Sequence, residues 1–238
     1  MNLDKPINLS DYERVVFFTG AGMSAECGVP TYRGRGGIWH EYNYEDYACQ
    51  RAFDHDPNRV MDFHEMRRAK VLECNPHIGH WRLSEFQAAH PSLKIVTQNI
   101  DGMHQRAGAT SVVELHGSLW RLRCPTHGDR KDLEAGNYTR RSCELCSAPL
   151  RPDITWFEDA VDPHVFNLAR TLILGCDLFV VIGCSGVVRP ASALIFEGAK
   201  MAKTSVEINT ETCNLLGHFT KILAMEASIA IPQAFVLL

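Results

Sequence analysis

The chain has no apolar run long enough to span a bilayer. Its opening stretch, MNLDKPINLSDYERVV, contains no apolar h-region, so no secretory signal is expected. Basic residues are not in excess. Lys and Arg number 24 against 28 Asp and Glu, a formal net charge of −4, which excludes a global basic field directed at nucleic acid. Repeats and low-complexity segments are missing as well. No Lys-Ser/Thr pair follows the one glycine-rich loop, so a Walker-type triphosphate loop in its usual form is excluded. No acidic residue closes a clear second strand, where ordinary dinucleotide folds bind a ribose. These absences together predict a cytoplasmic, monomeric enzyme or binding protein with neither a membrane nor a nucleic-acid partner.

What is present is globular. The 238 residues are 45% hydrophobic and allow one large domain with inserts. Nine cysteines without a secretory signal predict buried thiols in a reducing compartment, not a disulfide framework. Arg14 to Thr19, Leu93 to Thr97, Val112 to Leu115, Asp177 to Gly183 and Ser205 to Ile208 read as short apolar strands. Asp56-Pro57, Asn75-Pro76 and Asp162-Pro163 each place a capping residue before a first-turn proline. Helices are predicted over 57–72, 76–89 and 163–175, with another from Pro190 to about Lys203. The alternation predicts βαβ units in an α/β, doubly wound parallel sheet. Continuous runs such as VVFF and LFVVI suit strands covered on both faces. Residues 31–56 and 120–152 break the pattern and read as insertions.

Gly20-Ala21-Gly22-Met23-Ser24-Ala25 fits G-x-G-x-x-G/A directly after a strand, a spacing that lets backbone N–H groups approach a pyrophosphate. On pattern alone it is also compatible with a plain tight turn. The helix such a loop opens is stopped almost at once by Cys27-Gly28-Val29-Pro30. The next residues, Thr31 to Trp39, are rich in glycine and arginine and suggest a mobile loop facing an anion. Polar groups recur at other strand ends: Gln98, Asn99 and Asp101 after LKIVT, His116 after VVEL, Gly183-Cys184-Ser185 after LFVVI, and Asn209 after SVEI. Open α/β sheets bind ligands at such ends. His116 is the preferred general base, because an imidazole titrates near neutral pH; His80 is expected to be packed. Cys124-x2-His127, a spacer of fifteen residues and Cys143-x2-Cys146 supply four ligands for a structural, tetrahedral zinc ion.

Taken together these features resemble the sirtuin family. The matching residues are Gly20 to Ser24, Gly28 to Gly34, Thr97 to Asp101, His116-Gly117, the paired zinc ligands, Arg151-Pro152 with Trp156-Phe157, Gly183 to Ser185, and Ile208-Asn209, in the family order. The resemblance implies a Rossmann-like domain (1–34, 73–120 and 152–238), a helical insert and cofactor loop (35–72) and a zinc-ribbon module (121–151). It implies NAD as co-substrate of a protein-lysine deacylase. The acyl oxygen of a modified lysine attacks C1′ of the nicotinamide ribose, nicotinamide leaves, and His116 serves as base for the ribose hydroxyl that attacks the resulting alkylimidate. By position, Gly20, Ala21, Gly22, Ser24, Tyr32 and Arg33 line the cofactor site. Gln98, Asn99 and Asp101 surround the nicotinamide ribose, with Asn99 and Asp101 counted as catalytic beside His116. Gly183, Cys184, Ser185 and Asn209 hold the adenosine half, and an acyl-lysine peptide passes near Trp156, Phe157 and Val187.

Asp56 to Arg68 resembles the bacterial and mitochondrial sirtuins that remove succinyl and malonyl groups. Their Tyr-x-x-Arg becomes His64 and Arg67 here, and Ala48 matches the small residue that opens the acyl pocket. Positions i and i+3 share a helix face, so an acidic-acyl preference is expected, more marked at low pH where His64 is protonated; a pocket remodelled for acetyl is the alternative. Cys184 stands where the family has threonine, Glu158 where it has glycine, and His127 where it has cysteine. The competing activities are protein ADP-ribosyl transfer or NAD hydrolysis on the same fold, and a non-catalytic NAD-sensing module.

Overall fold

The computed structural model describes residues 5–32, 37–211 and 218–238. In chain order the strands are β1 (Ile7–Asn8), β2 (Val15–Thr19), β3 (Leu93–Thr97), β4 (Val112–Glu114), β5 (Gly117–Cys124), β6 (Gly128–Lys131), β7 (Arg151–Ile154), β8 (Leu178–Ile182), β9 (Thr204–Ile208), β10 (Lys221–Leu223) and β11 (Phe235–Val236). The helices are α1 (Ala21–Ala25), α2 (Tyr44–Tyr47), α3 (Gln50–His55), α4 (Pro57–Leu72), α5 (Ile78–Ala89), α6 (Met103–Arg106), α7 (Pro163–Leu174), α8 (Ala191–Met201) and α9 (Ala227–Ala234).

Six strands form a parallel sheet in the order β10-β9-β8-β2-β3-β4. In the central strand β2 every residue is buried, and successive side chains serve opposite faces. Val15 and Phe17 join a core that includes Leu83 and Phe86 of α5 and Ala230 and Ile231 of α9. Val16 and Phe18 join another with Ala169 and Ile173 of α7 and Leu194 and Ile195 of α8. Burying each such side chain contributes roughly 1.5–3 kcal/mol, so a run apolar at every position requires helices on both faces. From β2 the chain winds through β3 to β4, then returns to β8 on the other side of β2. The topological switch point lies between β2 and β8.

The helix starts follow local chemistry. Asp56 Oδ1 accepts from Arg59 N at 3.0 Å ahead of α4, with Pro57 in the first turn, and Asp162 Oδ1 accepts from His164 N at 2.7 Å ahead of α7. The third expected cap is corrected. α5 starts at Ile78 and its cap is His77, whose Nδ1 accepts from Gly79 N at 2.9 Å, while Asn75 Oδ1 accepts from Arg106. α1 is only five residues long, as the Cys27-Gly28 stop requires, with Gly28 at φ 88°. The sixth strand β10, the helix α9 and the terminal β1–β11 pair went unread. They are short, and α9 carries Pro232 inside it.

The two insertions share one core. β5 pairs antiparallel with β6 and β7 in a three-stranded sheet. Val60, Met61 and Val71 of α4 pack with Leu119, Leu122, Tyr138, Leu150 and Trp156. The fully buried Arg68 pins α4 to the cysteine-bearing segment: Nη1 reaches Asp132 at 2.8 Å, Nε donates to Ala135 O at 2.7 Å, and the guanidinium lies 4.0 Å from the Tyr138 ring centroid.

Candidate active site

A cavity of about 670 Å³ opens at the carboxyl ends of β2, β3, β8 and β9, between the parallel sheet and the smaller module. Gly20, Ala21, Gly22, Tyr32, Gln98, Asn99, His116, Gly183, Cys184, Ser185 and Asn209 line it. So do Ala48, His64, Arg67, Trp156, Phe157 and Val187. Residues from nearly the whole chain therefore converge on one crevice at the switch point, where open α/β sheets bind ligands. Ser24 and Asp101 stand behind its wall. Arg33 lies outside the described residues.

The glycine loop is strapped to β8. Gly20 N donates to Ile182 O at 2.9 Å and Gly22 N to Gly183 O at 2.9 Å. Both amides are therefore already used, which narrows the expected phosphate cradle: these two glycines supply close approach more than donors. Gly183 sits at φ 62°, and a Cβ there would lie 2.4 Å from Met23 N and 2.6 Å from Gly22 Cα. Gly183→Ala is expected to cost roughly 1–3 kcal/mol of stability from backbone strain alone, and to weaken NAD binding with it. Thermal melts with and without NAD check this; an unchanged melting temperature overturns it.

Asn99 is held in a buried network. Its Nδ2 donates to Gly20 O at 2.9 Å and to Ser24 Oγ at 3.2 Å, and its backbone N–H donates to Thr97 Oγ1 at 3.0 Å. Thr19 Oγ1 donates to Thr97 Oγ1 at 2.8 Å and stands 2.9 Å from His104 Nε2. Asp101 Oδ1 accepts from Met103 N at 2.9 Å; burial pushes its carboxyl above the ordinary value, while the Met103 amide and Ser24 pull it back.

His116 Nδ1 lies 3.2 Å from the Gln98 carbonyl oxygen. A carbonyl only accepts, so Nδ1 carries the proton and Nε2 keeps its lone pair. Burial holds this imidazole below its usual 6.5, and the Gln98 carbonyl opposes that shift. The ring thus favours its neutral form, with Nε2 unprotonated on the cavity wall that Asn99 also lines. Across the cavity, at the ends of β8 and β9, Asn209 Nδ2 donates to Cys184 O at 2.8 Å, and Gln98 Nε2 donates to Cys184 Sγ at 3.4 Å.

The region around His64 and Arg67, expected to receive the acyl group, departs from expectation. His64 Nε2 accepts from Trp156 Nε1 at 3.1 Å, so its proton is on Nδ1, which has no partner among the described residues. Burial, with Arg67 and Arg151 nearby, drives this imidazole down to about 3. His64 is therefore neutral across the working range, and its protonation gives no enhancement at mildly low pH, contrary to expectation. Arg67 is 6% exposed, donates from Nη1 to Tyr32 Oη at 3.1 Å and lies 4.7 Å over that ring. Among the described residues no carboxylate pairs with it. Glu158 adopts φ 75°, which explains the family's glycine at this position; its carboxylate pairs with Arg51 at 3.3 Å. Trp39, Val188, Arg189 and Glu211 also line the cavity and were not anticipated. Trp39 sat in plain view in the glycine-arginine stretch, and its buried Nε1 has no partner among the described residues.

The predicted metal ligands converge. Cys124 Sγ and Cys143 Sγ each lie 3.5 Å from His127 Nδ1, and Cys124 Sγ lies 3.6 Å from Cys146 Sγ. A tetrahedral zinc with ordinary bond lengths spans about 3.6 Å from sulfur to nitrogen and about 3.8 Å between sulfurs. The group fits zinc with no open position. The Leu145 and Cys146 amides help hold the Cys143 thiol down at about 6, favouring the thiolate a metal needs.

The Sir2 family model matches residues 20–190. An NAD-dependent protein deacylase of Aquifex aeolicus is 36% identical over 203 residues, covering 83% of each chain. NAD-dependent protein deacylase 2 of Pyrobaculum aerophilum is 39% identical over 204 residues, covering 85% of this chain and 82% of its own. A crystal structure of a Sir2 homologue–NAD complex superposes with a TM-score of 0.86 at 31% identity, covering 95% of this chain and 90% of that one. With most of its length matched in both sequence and fold, the chain belongs to the Sir2 family, the sirtuins.

Proposed function

We propose that this protein is an NAD-dependent protein-lysine deacylase acting in the cytoplasm, with His116 as its base. The observation that carries the assignment of roles is the His116 tautomer: Nδ1–H is committed to the Gln98 carbonyl, leaving Nε2 basic inside the cavity. NAD supplies a ribose carbon that accepts the acyl oxygen as nicotinamide departs. The chain's own work is positioning and proton transfer. Gly20 to Gly22, Gly183, Cys184, Ser185 and Asn209 hold the adenosine and phosphate portion, with Tyr32 contributing; the expected role of Arg33 falls outside the described residues. Gln98 and Asn99 face the nicotinamide ribose, while Ser24 holds Asn99 from behind and Asp101 acts on it through Ser24. Trp156, Phe157 and Val187 flank the acyl-lysine. His116 Nε2 takes the ribose hydroxyl proton. Zinc on Cys124, His127, Cys143 and Cys146 supports fold, not chemistry. Incubation with NAD and an acylated peptide tests this reading: O-acyl-ADP-ribose and free lysine are expected. Free ADP-ribose or labelled protein would instead favour hydrolysis or ADP-ribosyl transfer, which the deacylase relatives do not favour.

The preferred acyl group is acidic. Arg67 is a buried guanidinium whose charge acts on Asp101 but which makes no direct ion pair with a carboxylate among the described residues, in a cavity that Ala48 also lines. A succinyl or malonyl carboxylate would supply a direct ion pair to Arg67, and neutral His64 adds no net charge of its own. A hydrogen bond to a charged group contributes about 1.5–3 kcal/mol. Arg67→Ala is therefore expected to cut kcat/KM on succinyl-lysine roughly 10- to 100-fold and to leave acetyl-lysine nearly unchanged. Equal losses on both substrates would show that Arg67 only supports the pocket wall.

A further inference from the structure

Beneath the glycine loop lies a cluster of metal-binding side chains outside the zinc module. One ligand atom each from Cys27, His77 and His80 lies within 4.8 Å of the other two. Cys27 Sγ and His80 Nδ1 are 3.9 Å apart. The corresponding edge of a tetrahedral zinc site is about 3.6 Å, so this edge needs a shift of only a few tenths of an ångström, and the others need to close from within 4.8 Å. His80 is fully buried, its Nε2 has no partner among the described residues, and its ring is wedged between those of His77 at 4.4 Å and His104 at 5.0 Å. Cys27 is half-buried, which leaves a route for an ion and a place for a water as fourth ligand.

We propose that Cys27, His77 and His80 form a second site, for a thiophilic divalent cation such as zinc, cobalt or cadmium, and that filling it inhibits the enzyme. One thiolate and two imidazoles suit that class of ion and not magnesium or calcium. The inhibition follows from what His77 already does. Its Nε2 donates to Met23 O in α1 at 2.7 Å, and its Nδ1 accepts from Gly79 N to cap α5. Either nitrogen that turns to a metal gives up one of these bonds. Losing the first frees α1, which carries Gly22 of the cofactor loop. Losing the second loosens the start of the helix that packs against α6 and β3. Both routes disturb the wall on which NAD rests. The inhibitory half rests on the NAD reading above; the binding half does not.

The test uses the full chain with its zinc module already loaded. Cobalt is titrated in while sulfur-to-cobalt charge-transfer absorption and KM for NAD are recorded. One further equivalent per chain is expected, with KM for NAD raised at least tenfold. In Cys27→Ser both the absorption and the inhibition should vanish, with structural zinc retained and uninhibited turnover unchanged. His80→Asn should behave alike, which guards against misfolding of either variant. No additional equivalent in the wild type, or undiminished absorption in Cys27→Ser, overturns the site. Cys27-dependent absorption with an unmoved KM for NAD overturns the coupling to the loop. If the acyl-peptide reaction itself fails, the optical titration still decides the site.

Discussion

His116→Ala is expected to lower deacylation kcat by about 10²–10⁴-fold, the usual contribution of a positioned general base, while the dissociation constant for NAD changes little. The expectation comes from geometry before chemistry. The chain leaves β4 at Glu114, Leu115 N bonds Thr97 O, and His116 follows at the cavity wall with Nδ1 turned to the Gln98 carbonyl. That bond orients the ring and selects the tautomer, so removing the ring removes a base and no part of the glycine loop. Nicotinamide loss requires no base, so exchange of labelled nicotinamide into NAD should persist in the variant when acyl-peptide is present. The pH profile carries the same signature. Only the neutral ring accepts a proton, and burial holds its pKa below 6.5. Activity should be level from neutral pH down past 6.5 and fall only below it. Loss of NAD affinity in step with turnover would reduce His116 to a structural residue.

The second large effect is on stability. The protein is expected to lose stability steeply in mild acid, by roughly 7 kcal/mol between pH 6.5 and 4.5. Burial lowers His64 to about 3, His104 to about 4 and His80 to about 2, against an ordinary value of 6.5, and it lowers His116 in the same sense. In the unfolded chain these rings protonate near 6.5; in the native protein His64, His80 and His104 stay neutral well below it. The unfolded state therefore binds about three more protons in that window, and stability falls by ~4 kcal/mol for each pH unit lost. Well above 6.5 neither state is protonated and these groups contribute no slope. Asp101 acts in the opposite sense, because its raised pKa relieves a buried charge as pH falls, but it is one group against several. The loss is a large share of the 5–15 kcal/mol that holds an ordinary domain together. Urea midpoints across pH 4.5–7.5 measure it. His104→Gln keeps a polar partner for Thr19 and removes one titrating ring of several, so its slope should be roughly two thirds to three quarters that of wild type. Identical slopes in the two proteins would eliminate the histidines as the cause, and would leave zinc release from Cys124 and its fellow ligands as the acid-sensitive element.

Local patterns in the chain determined much of this protein. Continuous apolar runs such as VVFF and LFVVI dictate strands covered on both faces, and hence a doubly wound parallel sheet. Asp56 and Asp162 ahead of proline set two helix starts. The paired short spacings among Cys124, His127, Cys143 and Cys146 set a closed metal site. Each is a signal carried within a few residues, because caps, pleats and chelate pairs are made by near neighbours. Tertiary structure alone decided the rest. That Arg68 reaches Asp132, and so merges the two insertions into one core, depends on residues 64 positions apart. That His77, not Asn75, caps α5 depends on where the α1 carbonyl of Met23 falls. That Ser24 and Asp101 stand behind Asn99, and that His64 stays neutral against Trp156, depends on burial, which no spacing records. The reason is physical. Propensity and spacing act along the chain, whereas the protonation state of a side chain and its access to the cavity are set by the dielectric and the partners that the fold brings to it.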